Sequence, residues 1–134
     1  MPSLRVLLVD DSVTFLESAE RLLSSQPSLQ VVGRATSGID ALDQTTLLSP
    51  DLVLMDWSML GMNGLEAMRL IKTRRAAPRV VILTLFDLPQ YRAAAAAAGA
   101  DGFLAKSEWG VQLMPLVEKL FGDMARSRGE PAQG

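Results

Sequence analysis

Neither cysteine nor histidine occurs anywhere in the chain. Their absence removes disulfide frameworks, thiol nucleophiles, imidazole general bases and the usual transition-metal ligands. Any bound metal must be held by oxygen atoms, which points to a hard cation such as magnesium or calcium. No charge sign dominates either: 13 Lys plus Arg stand against 15 Asp plus Glu, a formal net charge of −2. Such a balance gives no strong attraction to nucleic acid or to an anionic membrane. Apolar runs stay short of membrane-spanning length, and the alanine-rich run near residue 95 is flanked by Arg92 and Asp101. The opening MPSLRVLLVDD has neither the apolar stretch nor the cleavage site of a signal peptide. The expectation is a soluble, cytoplasmic chain with no direct nucleic-acid or membrane contact.

What is present is the composition of one globular domain. The 134 residues fit a prior of about 150 per domain, long enough to bury a core without staples. Apolar residues at 49% and charged residues at 21% exclude a disordered or fibrous chain. Leu4 to Val9 is a short branched apolar run ending at two acids, the pattern of a buried strand. Helical spacing follows from Val13 through Phe15, Leu16, Ala19, Leu22 and Leu23, with Ser12 as N-cap and a break around Ser24 to Pro27. Leu29 to Arg34 reads as a strand and Ser37 to Leu47 as a helix. Asp51 to Met55 is a strand closed by Asp56, and Leu65 to Ala76 a helix ended by Pro78. Arg79 to Thr84 is a strand, 88 to 98 a helix closed by Gly99, and Phe103 to Ala105 a strand ending at Lys106. A last helix spans Trp109 to Phe121, with Pro115 either at its start or kinking it.

Five strands alternating with five helices imply an α/β fold, a parallel sheet covered on both faces as an open sandwich. Residues 1–121 make the domain. Residues 122–134, GDMARSRGEPAQG, lack apolar periodicity and read as a flexible tail or the start of a linker.

Asp10, Asp11, Asp56, Thr84 and Lys106 all fall at expected C-terminal strand ends, the edge where parallel α/β sheets place their sites. A lone Asp or Thr after a strand is commonly a cap or turn residue. Four strands delivering compatible groups to one edge need a further reason. Three converging carboxylates call for a cation, and magnesium suits an all-oxygen set. A lysine and a threonine beside them suit a phosphoryl group with one carboxylate as nucleophile.

The paired acids in VLLVDDS, the segment LVLMDWSMLGMNGLEA, the threonine ending VVILT and the late GADGFLAK occur in the order found in a known family. From Leu4 to about Phe121 the chain resembles the receiver domain of bacterial two-component response regulators. VVGRATSGIDAL and GADGFLAK are closest to receivers of regulators with a LuxR-type (NarL/FixJ-like) output domain. The resemblance implies a CheY-like (flavodoxin-like) doubly wound (βα)5 sandwich with strand order 2-1-3-4-5. It implies phosphorylation of Asp56 by a histidine kinase or phosphotransfer protein. Magnesium would be bound by Asp11, Asp56 and the backbone carbonyl of Ser58, with Asp10 acting through water. Lys106 would pair with the phosphoryl oxygens, and Thr84 and the aromatic Phe103 would be the switch residues. Phosphorylation would then shift a population between two surfaces, making the domain a switch rather than a turnover enzyme. The fourth helix, fifth strand and fifth helix would form the signalling face, a homodimer contact or the seat of an output partner, with Tyr91, Arg92, Glu108, Gln112, Lys119 and Phe121 as candidates.

Several positions depart from the family pattern. Leu60 stands where proline is usual, which leaves that loop less preorganised and the leucine exposed. Leu85 stands where a small residue usually follows the threonine, and its bulk bears on the approach to Asp56. Ser107 replaces a proline after the lysine, so a trans peptide is expected there. Ser58, Leu85 and Phe86 occupy tuning positions; Phe86 either excludes attacking water and slows self-hydrolysis or serves only in loop packing. Trp57 is expected to pack, and Gly61 and Gly64 to shape the loop and the helix entry. Arg74, Arg75 and Arg79 suit a helix terminus better than DNA. Two other functions compete. One is a degenerate receiver that acts without phosphate. The other is a magnesium-dependent phosphatase like the haloacid-dehalogenase group, whose DxDx(T/V) motif does not match Asp10-Asp11-Ser12-Val13-Thr14.

Overall fold

Apolar runs bounded by Asp, Pro or Gly become strands, and the helically spaced segments between them return the chain across the sheet. The computed structural model describes residues 3–129, with side chains described through residue 122. In chain order the elements are β1 (Leu4–Val9), α1 (Val13–Leu23), β2 (Leu29–Ala35), α2 (Gly38–Leu48), β3 (Leu52–Asp56), α3 (Gly64–Lys72), β4 (Arg79–Thr84), α4 (Pro89–Ala97), β5 (Gly102–Ala105) and α5 (Trp109–Gly129). The sheet has five strands in the order β2-β1-β3-β4-β5, and every neighbouring pair is parallel. The strand order reverses between β1 and β3, so the crevice beyond their carboxyl ends is the topological switch point of the sheet.

Alternation along each strand sorts the core into two layers. Val6, Leu8, Leu52, Leu54, Val81 and Leu83 face Leu16, Ala19 and Leu23 of α1 and Leu113, Val117 and Phe121 of α5. Leu7, Val9, Val53, Met55, Val80 and Ile82 face Ala41 of α2, Ala67, Met68 and Ile71 of α3, and Ala95 of α4. Burial on both faces is why the strands read as continuous apolar runs rather than alternating ones. Short polar side chains start three of the helices. Ser12 Oγ accepts from Phe15 N–H at 3.2 Å and Ser37 Oγ from Asp40 N–H at 3.0 Å, while Asn63 and Glu66 form a reciprocal capping box.

Three expectations change, and one open alternative, the place of Pro115, is decided. Phe121 is 7% exposed and belongs to the core, not to a signalling face: Leu113, Val117 and Phe121 lie four residues apart, on the stripe of α5 that meets the sheet. The third helix ends at Lys72 rather than near Ala76, since its buried face stops at Ile71 and the Thr73 hydroxyl donates to the Leu70 carbonyl at 2.7 Å. Pro115 lies inside α5. It and Val111, whose carbonyl loses its usual partner there, are both exposed, so water can replace the missing bond. Finally α5 continues to Gly129, into the segment read as a tail from 122; alanine, methionine and arginine there are good helix formers. Residues 130–134 of that segment lie outside the described residues.

The arginines near the end of α3 have local structural partners. Arg74 donates to the Leu42 carbonyl at 3.1 Å, and Arg79 pairs with Asp101 at 3.4 Å. Gly64, at the start of α3, is set by contact: a Cβ there would lie 2.1 Å from the backbone oxygen of Asp56. Gly64→Ala therefore has to displace the β3–α3 connection. It is expected to cost about 1–3 kcal/mol, the range for overpacking, read as a lower urea midpoint at an unchanged slope.

Candidate functional site

Strand register brings the site residues to one edge. Asp10 follows β1 and anchors there through its N–H to the Ala35 carbonyl, 3.0 Å; Asp56 ends β3 opposite Leu83. Thr84 ends β4 opposite Ala105, and the Lys106 N–H donates to the Thr84 carbonyl at 2.7 Å. Asp10, Asp56 and Thr84 are 1%, 4% and 4% exposed, whereas Asp11 is exposed at the rim.

Lys106 crosses this edge as a bridge. Its Nζ lies 2.6 Å from Asp10 Oδ2 and 3.2 Å from Asp56 Oδ1. The other Asp10 oxygen accepts from the Ser12 N–H at 2.9 Å. The Ser58 backbone, two residues on, acts to lower the Asp56 carboxyl against its burial. Oxygen atoms of Asp10, Asp11 and Asp56, one from each, lie within 4.8 Å of one another. Three ionised carboxylates against one ammonium leave two negative charges unmatched. An all-oxygen donor set with that deficit fits a divalent hard cation such as magnesium.

The titration behaviour agrees. Burial, with Asp10's charge adding to it, pushes the Asp56 carboxyl above its ordinary 3.8 against the pull of Lys106. Burial acts to lower Lys106, but the Asp10 and Asp56 carboxylates outweigh it and hold its pKa above 10.5.

Around the acids lies a block of rings. Trp57, next to Asp56, stands edge-on to Tyr91 at 5.2 Å and to Phe103 at 6.4 Å. The Arg92 guanidinium lies 4.8 Å over the Phe103 ring and grips Asp87 through two contacts of 2.6 and 3.1 Å. That pairing holds the Asp87 carboxyl below its ordinary 3.8. Phe86 is 58% exposed with its ring 6.3 Å from Tyr91, and its N–H donates to Thr84 Oγ1 at 3.0 Å. Leu60 and Leu85 are 88% and 74% exposed on the flanking loops. Gly61 has φ +78°, the left-handed region that favours glycine. No cis peptide occurs among the described residues.

Asp10, Asp11, Asp56, Thr84 and Lys106 thus converge as the sequence places them, with Ser58 beside Asp56. Tyr91 is half-buried on Trp57, while Arg92, Glu108, Gln112 and Lys119 are exposed; Glu108 and Gln112 are joined by a 2.9 Å hydrogen bond. Two participants carry no sequence signal. Asp87 is a plain loop acid until Arg92 turns back to it. Phe15 reads as a helix core residue, yet its ring centroid lies 4.5 Å from Lys106 Nζ.

The family model for the response regulator receiver domain matches residues 6–118. Among curated relatives, a protein-glutamate methylesterase/protein-glutamine glutaminase 5 from Myxococcus xanthus is 37% identical across 96% of this chain and 40% of its own length. The nitrate/nitrite response regulator protein NarL of Escherichia coli K12 is 34% identical across 75% of this chain and 47% of its own. The chain therefore spans less than half the length of these two relatives. A solved two-component response regulator of the LuxR family from Aurantimonas sp. SI85-9A1 superposes with a TM-score of 0.84 at 30% identity, over 90% of this chain and 86% of that one.

Because the folded Asp56 carboxyl holds its proton more tightly than the unfolded one, its contribution to stability is full below 3.8 and is lost as pH rises through the folded value. At pH 7 Asp56→Asn should therefore melt higher than wild type, by about 3 °C, the scale of a sub-kcal/mol change in a domain of this length. The gap should shrink toward pH 4 and on adding magnesium chloride to the wild type. Scanning calorimetry across that pH range checks the sign.

Proposed function

The chain belongs to the response regulator receiver domain family, and from that premise we propose that Asp56 is its phosphoacceptor, served by a histidine kinase or histidine phosphotransfer protein. The observation that carries the reading is the burial of Asp56 at the end of β3, joined through the Lys106 ammonium to the Asp10 carboxylate. An Asp56 carboxylate oxygen attacks the phosphorus of the donor phosphohistidine. The P–N bond breaks, its electron pair returns to the imidazole, and an acyl phosphate remains on Asp56.

Lys106, already 3.2 Å from Asp56 Oδ1, pairs with phosphoryl oxygens as their charge develops. Asp11 and Asp56, with the Ser58 backbone carbonyl, are the residues to hold magnesium directly, Asp10 acting through water. The bound cation supplies charge neutralisation on the phosphoryl oxygens. Thr84 Oγ1 accepts from the Phe86 N–H, which leaves its own O–H to donate to the phosphoryl group. That new bond draws the loop of Leu85 and Phe86 inward, and Phe103 turns with it. The new doubly charged group offers three acceptor oxygens, enough to shift the balance between two loop positions.

The face of α4, β5 and α5, with Tyr91, Arg92, Glu108, Gln112 and Lys119, is the proposed output surface, for a second copy or an output partner. Residues 1–121 are the proposed receiver unit, and 122–134 a tail or the start of a linker. The domain takes part in its own phosphorylation and dephosphorylation without turning over a separate substrate.

Intact mass after incubation with acetyl phosphate and magnesium tests the reading. One phosphoryl addition is expected in the wild type and none in Asp56→Ala; addition to the variant, or none to the wild type from either acetyl phosphate or a phosphohistidine donor, would overturn it. A further expectation concerns lifetime. Phe86, exposed two residues after Thr84, shields the acyl phosphate from water at its tuning position, so Phe86→Glu should shorten the phosphate half-life several-fold. An unchanged decay in the mass time course removes that role.

A further inference from the structure

Lys106 Nζ has three N–H directions. One donates to Asp10 Oδ2 at 2.6 Å, and Asp56 Oδ1 lies at ion-pair distance, 3.2 Å. Among the described residues the other neighbour of Nζ is the face of Phe15, with its ring centroid 4.5 Å away. The lysine side chain is 14% exposed. Its ammonium is thus held by two anions and a π-face rather than by bulk water. A cation over an aromatic face is attracted by the ring quadrupole, more so where water is kept away.

The ring is itself held. Phe15 sits in the first turn of α1, where its N–H donates to Ser12 Oγ. Its ring meets Trp109, the first residue of α5, at 5.8 Å and a tilt of 51°. Trp109 is 8% exposed, so it offers a fixed wall. Ser12 in turn donates its backbone N–H to the Asp10 oxygen that Lys106 leaves free. One short segment therefore orients both Asp10 and the ammonium that Asp10 pairs with.

We propose that Phe15 is a positioning residue for Lys106, its ring face holding the ammonium over the floor of the site while the charge on Asp56 changes. The inference rests on the reading that Lys106 serves phosphoryl transfer at Asp56. As the Asp56 carboxylate becomes an acyl phosphate, its pull on Lys106 alters in direction. The contacts to Asp10 and Phe15 remain, so the ammonium stays within reach of the new oxygens instead of swinging toward solvent. An aliphatic side chain fills the same space without the quadrupole.

The test compares wild type, Phe15→Leu and Phe15→Tyr by two readouts. The first is the proton chemical shift of the Lys106 ε-methylene, which a ring face at this distance moves upfield. The second is the rate of phosphoryl incorporation from acetyl phosphate with magnesium, followed by intact mass. Phe15→Leu should lose the upfield displacement and slow incorporation by roughly tenfold, the scale of a desolvated cation–π contact, with the melting point little changed. Phe15→Tyr should restore both. A wild-type Lys106 signal without ring-current displacement overturns the proposal whether or not either variant folds. So does wild-type incorporation by Phe15→Leu. If the wild type takes up no phosphoryl group from any donor while Lys106 shows the displacement, the reading of the site fails and the role of Phe15 in transfer fails with it, but the contact stands.

Discussion

The ion-paired bridge from Asp10 through Lys106 to Asp56 is the constraint on which the rest of the site depends. It joins residues 96 apart in sequence, at the ends of β1, β3 and β5. Two carboxylates this close and this buried repel one another, and burial alone already raises the proton affinity of Asp56. Lys106 is what makes the pair tolerable, and its own raised pKa is the other side of the same balance. A buried ammonium with no partners would be as unfavourable as the acids without it. The residual negative charge at the rim, completed by Asp11, is of the kind that could hold a divalent cation.

From that bridge outward the side chains lie progressively closer to solvent. Thr84 ends a fully packed strand, while the loop after it carries Leu85, Phe86 and Asp87 into solvent. The loop is tied to α4 by the Arg92–Asp87 pair and to β5 by the Arg92 guanidinium over Phe103. Trp57 leans on the same Phe103 and on Tyr91. The residue after Asp56, the loop after Thr84 and the strand before Lys106 thus meet in one block of rings. A change at the proposed acceptor alters three inputs to that block at once. An exposed ion pair of this kind contributes little on its own. The deep core beneath is packed in two layers.

Membership of the receiver family rests on the match over residues 6–118 and on relatives above 30% identity. Apolar side chains on the flanking loops and on α1 frame the acidic site. Leu60 and Leu85 present bare apolar side chains beside the opening to Asp56, and Phe15 replaces solvent on one side of Lys106. Because the matched relatives are much longer than this chain, their names describe assemblies of which it corresponds to one part.

The sequence by itself determined the alternation of five strands and five helices, because burial on both faces writes each strand as an unbroken apolar run. It also determined which residues reach the site edge, since each key side chain ends or directly follows such a run; Asp10, Asp56, Thr84 and Lys106 needed only a parallel sheet to meet. Strand order entered through the family resemblance, and the register of the strands bore it out. Tertiary structure alone decided the rest. Phe121 could be assigned to the core only once the face of α5 against the sheet was known, and the end of the third helix depended on where buried partners ran out after Ile71. Phe15 under Lys106, and Arg92 between Asp87 and Phe103, are meetings between elements whose angles no local pattern encodes. Periodicity reports which side of a helix is buried; only packing decides which particular side chain lies across from it.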